Sequence, residues 1–190
     1  MNRLALSGAI LALTAIPALA NDFEPAMRGF LEDGIQSWAS NQVLIDAIRN
    51  QNAATGGYDQ TRIDALDQTW RAEVGTGATP TIDPVLGNSA ADFLREQVSK
   101  SNGRITEAFI MDAHGLNVAS SAVTSDYWQG DEDKFQKTHD VGPDAVHFGD
   151  VEFDESSQTY QGQISITIVD PDTGAPIGAM TVGVDAESLL

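Results

Sequence analysis

Two adjacent large aromatics, Tyr127 and Trp128, sit in the stretch Thr124-Ser-Asp-Tyr-Trp-Gln-Gly-Asp-Glu132, with carboxylates on both sides. Each ring has an apolar body and a hydrogen-bonding tip, which suits the mouth of a pocket for a small polar molecule. The same pair can equally plug the open end of a small core, with Asp131 capping a helix that starts there. Other candidates for chemistry are thinner. The histidines are His114, His139 and His147, and no serine stands in a Gly-x-Ser-x-Gly elbow that would pair with one of them. Carboxylate clusters at Asp131-Glu-Asp133 and Asp154-Glu155 read as solvated faces in so acidic a chain, and catalysis is not expected. Asp170-Pro-Asp-Thr-Gly174 alternates oxygens as calcium sites do, and His147 with Asp150 suits a softer cation. Neither has enough ligands at a recognised spacing, so a tight hairpin turn explains the first better. No metal or cofactor is expected.

Elements that could position Tyr127 and Trp128 follow from periodicity. Met27, Phe30, Leu31, Ile35, Trp38, Ile45 and Ile48 recur near the helical period, predicting one long amphipathic helix from Phe23 to about Asn52, weakened at Gly34, Ser40 and Asn41. Ile63, Leu66 and Trp70 predict a second helix. Asp83-Pro84 opens a third that runs through Phe93, Leu94 and Val98 to Asn102-Gly103. From Ile105 the period becomes two, predicting strands at 105–111, 116–122, 147–153, 160–169 and 176–184. Turns fall at Asp112-Ala-His-Gly115, Asp154-Glu-Ser-Ser157 and Asp170–Gly174, short enough for antiparallel hairpins. The Tyr127–Trp128 loop and a helical piece at Asp131–Thr138 lie between the second and third strands. Parity then separates two sheet faces. Ile164, Ile166, Ile168, Met180, Val182 and Val184 are apolar and want the long helix, whereas Gln163, Ser165, Thr167, Ala179, Thr181 and Gly183 form a small, polar face. That second face is either a plain wet surface or the floor of a cup under the aromatic loop.

The chain of 190 residues carries a formal charge of -18, from 28 acidic residues against 10 lysines and arginines. Such acidity repels nucleic acid and anionic membranes, so neither is an expected partner. It has no cysteine, which excludes disulfides, thiolate catalysis and thiolate metal sites. Met-Asn-Arg3, the apolar run Leu4–Ile16 and Pro17-Ala-Leu-Ala20 read as a secretory signal peptide cut after Ala20, with the bacterial periplasm as destination. Residues 21–190 then form one domain, helical over 22–102 and sheet over 105–186.

The order of long helix, short helices, two strands, loop with short helix, and three strands resembles the extracellular PAS-like sensor domains called Cache or PDC domains. The resemblance rests on Ile105-Thr-Glu-Ala-Phe-Ile-Met-Asp-Ala-His-Gly-Leu-Asn-Val118, Thr124–Glu132, Phe153-Asp-Glu-Ser-Ser157 and Pro176-Ile-Gly-Ala-Met-Thr-Val-Gly-Val184. It covers about residues 25–188. It implies an α+β fold, a long N-terminal helix packed on a five-stranded antiparallel PAS-like sheet. It also implies a ligand, a small carboxylate, amino acid or related metabolite, held between the sheet and the loop-helix cover. The residues it points to are Phe109 on the first strand, Ser120 or Ser121 on the second, Tyr127 and Trp128 in the cover, and Gln163, Ser165 and Thr181 on the floor. Asp126 and Asp131 either bind a cationic group or fix the loop, and His147 is a further candidate.

Arg104, Lys134, Lys137 and His147 are the cations near this module, and none is placed on the pocket face by the pattern. An amine-bearing, neutral or cationic ligand therefore fits the charge at least as well as a carboxylate. Receptors of this kind continue from the region of Val184–Leu190 into a transmembrane helix. None follows here, so occupancy is expected to pass in trans to a membrane receptor or sensor kinase. Pairing of two copies through the N-terminal helix is compatible with that. The alternative reading is a calcium-stabilised or purely structural periplasmic interaction protein.

Overall fold

The structure, a computed structural model, describes residues 22–154 and 158–190. The predicted signal peptide and Glu155-Ser156-Ser157 of the second predicted turn lie outside them.

The predicted long N-terminal helix is three pieces before its final run. Helix α1 (Glu24–Phe30) passes into a π-helical turn (Leu31–Ile35) and then α2 (Gln36–Ala39). The π turn contains Gly34, one of the expected weak points, and the chain breaks at Ser40–Asn41. There Asn41 leaves the helical region and its side chain accepts the Val43 N–H at 3.0 Å, starting α3 (Gln42–Thr55). Asp59 does the same for α4 (Gln60–Glu73) by accepting the Arg62 N–H.

The predicted third helix is two, α5 (Ile82–Leu86) and α6 (Ser89–Lys100). Gly87 ends the first, and Asn88 caps the second by accepting the Ala91 N–H. Glu73 at the end of α4 accepts the Thr81 and Ile82 N–H groups, which ties α4 to the start of α5.

Six antiparallel strands form one sheet: β1 (Ile105–Met111), β2 (Asn117–Ser120), β3 (Val146–Phe148), β4 (Glu152–Asp154), β5 (Thr159–Val169) and β6 (Pro176–Asp185). Their order is β2-β1-β6-β5-β3, with β4 also paired to β5. The fold is α+β as expected, but the strand predicted at 147–153 is β3 and β4 in tandem. Gly149 to Val151 leave the ladder, although the Gly149 N–H still donates to the Gln163 carbonyl at 2.8 Å. Between β2 and β3 lies a short helix, α7 (Asp133–Gln136).

The even-numbered residues of the central strands, among them Ala108, Ile110, Ile164, Met180 and Val182, join Leu44, Ile45, Ile48 and Leu94 from α3 and α6 in one core. Leu44 and Ile48 are wholly buried, each contributing about 1.5–3 kcal/mol by leaving water. This face positions the other. Arg49 of α3 also reaches over the β5–β6 turn, where it forks onto both oxygens of Asp170 and touches Asp172. Asp170 spends its remaining capacity on the Asp172 and Thr173 N–H groups of its own turn. The oxygens that looked calcium-like thus close a hairpin and hold a helix to it. Among the described residues, no group of three or more His, Cys, Asp or Glu could hold a metal ion, and no helix is long and apolar enough to cross a membrane.

Candidate functional site

The face opposite the helices is built in transverse rows. Ser120 on β2 stands opposite Phe109 on β1, Phe109 opposite Thr181 on β6, Thr181 opposite Ser165 on β5, and Ser165 opposite His147 on β3. Five residues expected at the site therefore form one line across five strands. Its middle is closed. The Ser165 and Thr181 hydroxyls lie 2.9 Å apart and are fully buried, and the Ser120 hydroxyl donates to the Ala122 carbonyl at 2.6 Å.

The next row runs through Glu107, Gly183 and Gln163, with Gln161 beside it. Here polar groups are concentrated. Gln161 Nε2 donates to Glu107 Oε1 at 2.9 Å, and the Thr106 hydroxyl donates to Gln161 Oε1. Gly183 makes this possible, because a Cβ there would lie 2.5 Å from both Gln161 Oε1 and Thr106 Oγ1. Burial pushes the Glu107 carboxyl up, and the bond from Gln161 pulls it partly back.

The roof over these rows is α7 and the turn before it. Phe135 packs on Phe109, Met111 and Ala179. Lys134 Nζ sits 5.6 Å from the Phe109 ring centre, pairs with Glu132 at 2.9 Å and donates to Gln129 Oε1 at 3.1 Å. Two connected spaces remain. A chamber of about 30 Å3, room for one water, touches Glu107, Phe109, Gln129, Lys134 and Gln163. An outer cavity of about 490 Å3 shares Lys134, Asp154 and Gln163 with it and extends to Lys137, His147 and Gln161. That is the size of a small-ligand site.

Its charge is mixed. Lys134, Lys137 and His147 meet Glu132, Asp133, Asp150, Glu152 and Asp154 around the same space. Burial, aided by the Lys137 charge, lowers the His147 imidazole below its ordinary value, leaving a neutral ring near pH 7. Lys137 in turn bonds Asp133 at 2.6 Å and holds that carboxyl down. Of the cations that the sequence pattern left unplaced, Lys134 and Lys137 are thus brought to the cavity, whereas Arg104 lies over the Phe30 ring.

The structure gathers Phe109, Gln163 and His147 around these spaces and carries Tyr127 and Trp128 elsewhere. Asp67 of α4 accepts both the Tyr127 and the Trp128 N–H, at 2.9 and 3.1 Å. Tyr127 stacks on Trp70 at 5.3 Å between centroids and lines a different cavity, among the helices. Trp128 bridges to Leu116, and its indole donates to the His114 carbonyl at 2.8 Å. It can lie there because Gly115 (φ 80) and Gly130 meet: a Cβ on Gly115 would sit 2.5 Å from Gly130 Cα. The aromatic pair is therefore not the cover of the sheet floor, which is Phe135 and Lys134.

Asp131 does not cap a helix either. It is exposed, α7 starts at Asp133, and the residue before it, Glu132, makes no side-chain cap bond. Asp126 fixes the loop, its carboxylate accepting from Arg71 and Gln129. Ser120, Ser165 and Thr181 support the floor and line none of these cavities.

Glu107, Gln161, Lys134 and Gln129 were missed. Gln161 has the parity of Gln163 and Ser165, and Glu107 that of Phe109, so strand alternation alone finds those two. Lys134 and Gln129 come from irregular chain and carry no such signal.

No protein-family model and no curated protein matches the chain. Solved structures similar to it include the sensor domain of the V. cholerae histidine kinase DctB, at 11% identity and a TM-score of 0.39, covering 88% of this chain and 53% of that one. Another is the sensory domain of the Campylobacter jejuni chemoreceptor Tlp3 with isoleucine bound, at 12% identity and a TM-score of 0.42, covering 88% and 64%. A third is an extracellular ligand-binding receptor from Desulfohalobium retbaense, at 16% identity and a TM-score of 0.40, covering 80% and 26%. The chain thus spans less than two thirds of the length of each.

Proposed function

We propose that this chain is an exported sensor domain of the Cache or PDC type that binds a small polar metabolite between β3–β5 and α7. The observation that carries the reading is a polar sheet face roofed by a helix, with a cavity of about 490 Å3 left beneath the roof. An antiparallel sheet with one apolar face needs no second cover for stability. A roof that brings two lysines over glutamines and a buried glutamate is the arrangement of a binding site. Because both signs of charge border the space, the ligand it suits is a zwitterion or an amine-bearing molecule, an amino acid above all, more than a bare carboxylate. Occupancy would then pass to a partner in trans, a membrane receptor or sensor kinase in the periplasm, and no catalytic step is assigned.

The test is a thermal-shift screen of residues 21–190 against amino acids, amines, small carboxylates, purines and divalent cations, repeated with Gln163→Ala and Trp128→Ala. An amino acid or amine far above its Kd is expected to raise Tm by about several degrees. The shift should vanish in Gln163→Ala and persist in Trp128→Ala. No hit in any class, or a hit that survives Gln163→Ala and is lost in Trp128→Ala, would overturn the assignment.

A further inference from the structure

The sheet has a cavity on its other side as well. It lies among α3, α4, α5 and β2 and encloses about 750 Å3, again within the range of small-molecule sites. Much of its wall is apolar, from residues such as Val43, Ala47, Leu66 and Val85, and two phenols, Tyr58 and Tyr127, line it. Tyr127 is held rigidly, stacked on Trp70 with its N–H on Asp67. Burial and then the charge of Asp112 push its phenol up to about 12, so it stays neutral at any physiological pH.

The charge in the wall of this cavity is negative, with the Arg62 cation over the Tyr58 ring beside it. The one charged side chain in its wall is Asp46. Behind the wall residues Gln51 and Thr55 lies Asp112, fully buried. Its oxygens accept from Thr55 Oγ1 at 2.8 Å, Gln51 Nε2 at 3.1 Å, the His114 N–H at 2.9 Å and the Leu116 N–H at 3.0 Å. All four are uncharged donors, so the negative charge is solvated by the protein without being neutralised by a neighbouring cation. At the rim, the Arg62 guanidinium already lies 5.6 Å over the Tyr58 ring.

We propose that this helix-side cavity is a second binding site, distinct from the one under α7, and that it takes an organic cation with an apolar body, a primary or quaternary amine bearing a ring or short alkyl chain. Apolar walls accept the body, and the Tyr127 ring face not stacked on Trp70, with two carboxylates nearby, favours the charge. An anion of the same shape would meet Asp46 and Asp112 with no cation in the wall.

Isothermal titration of residues 21–190 with phenethylammonium chloride tests this, with phenylacetate as the anionic twin. Three variants locate the heat: Ala47→Trp, which fills the cavity; Tyr127→Leu, which removes the phenol; and Gln163→Ala, on the far side of the sheet. Circular dichroism checks each fold, and if Ala47→Trp does not fold, Tyr127→Leu carries the comparison. Phenethylammonium is expected to bind, to weaken by about tenfold or more in Ala47→Trp and Tyr127→Leu, and to be unchanged in Gln163→Ala, with phenylacetate weaker by about tenfold or more. No saturable heat, or equal affinity for phenylacetate, would overturn the proposal. So would loss of binding in Gln163→Ala with Tyr127→Leu unaffected, which would place the cation under α7 and leave the sensor reading standing.

Discussion

Ile164 and Gln163 are neighbours in β5, yet one is sealed in the helix-side core and the other borders an open cavity. Val182 and Ile110 share the side of Ile164, and Thr181 and Phe109 share the side of Gln163, although both are buried beneath the roof. On the helix side, Ile164, Val182 and Ile110 meet other apolar side chains, which are interchangeable within limits of volume. On the α7 side, Ser165 has Thr181, Gln161 has Glu107 and Lys134 has Gln129 and Glu132, so these polar groups have particular partners. One face stores the stability and the other stores the chemistry.

The sharpest way to break this contrast is to truncate both neighbours. Ile164→Ala is expected to cost about 2–5 kcal/mol by urea unfolding, whereas Gln163→Ala should cost about 1 kcal/mol or less and abolish the thermal shift. Equal losses of stability would mean that the roofed face is merely core.

A smaller effect is expected within the hydroxyl row. Thr181→Val strands the buried Ser165 hydroxyl and should cost about 1–3 kcal/mol, while adding Ser165→Ala should recover part of that loss. Strict additivity in the double variant would show that the pair is not coupled.

Glu107 gives a pH signature. Its carboxyl is raised by burial, so the folded chain keeps a proton that the unfolded chain releases near its ordinary value of about 4.3. The associated stability is whole below that value and is lost as pH rises through the folded one. Glu107→Gln should therefore flatten the decline as pH rises above about 4, and an unchanged slope in the variant would remove Glu107 from the account.

Asp170, held down to about 2 by Arg49, runs the opposite way. Its contribution is present above its unfolded value and fades as pH falls towards 2, so the small Tm deficit of Asp170→Asn should shrink on acidification. A deficit that stays constant down to pH 2 would assign it to the turn rather than to the ion pair.

Alternation made much of this legible beforehand. The period of two placed Ile164 and Ser165 on opposite faces, and it fixed β1, β5 and β6 almost to the residue. It did not place Tyr127 and Trp128, because their positions are set by partners remote in sequence: Asp67 and Trp70 on α4, and the His114 carbonyl across the Gly115–Gly130 contact. A local pattern cannot report such partners. Splits at Ser40–Asn41 and Gly87–Asn88 were half visible, since asparagine caps and glycine stops were both in the sequence. The break after Phe148 was hidden by β-prone residues on either side of Gly149. Lys134 reached the site only because α7 turns it onto Phe109.

Odd-numbered positions from Glu107 to Met111 on β1, Gln163 to Thr167 on β5 and Ala179 to Gly183 on β6 share the roofed face, by direct pairings such as Phe109 with Thr181 and Thr181 with Ser165. The consequence is evolutionary. Mutation can rewrite the odd positions that border the cavity, Gln161 and Gln163, while the even positions go on specifying the same scaffold. Deletion of one residue inside β5 would exchange the two sets beyond it. A single-residue gap in a central strand is therefore expected to do far more damage to this chain than a substitution at Gln161 or Gln163.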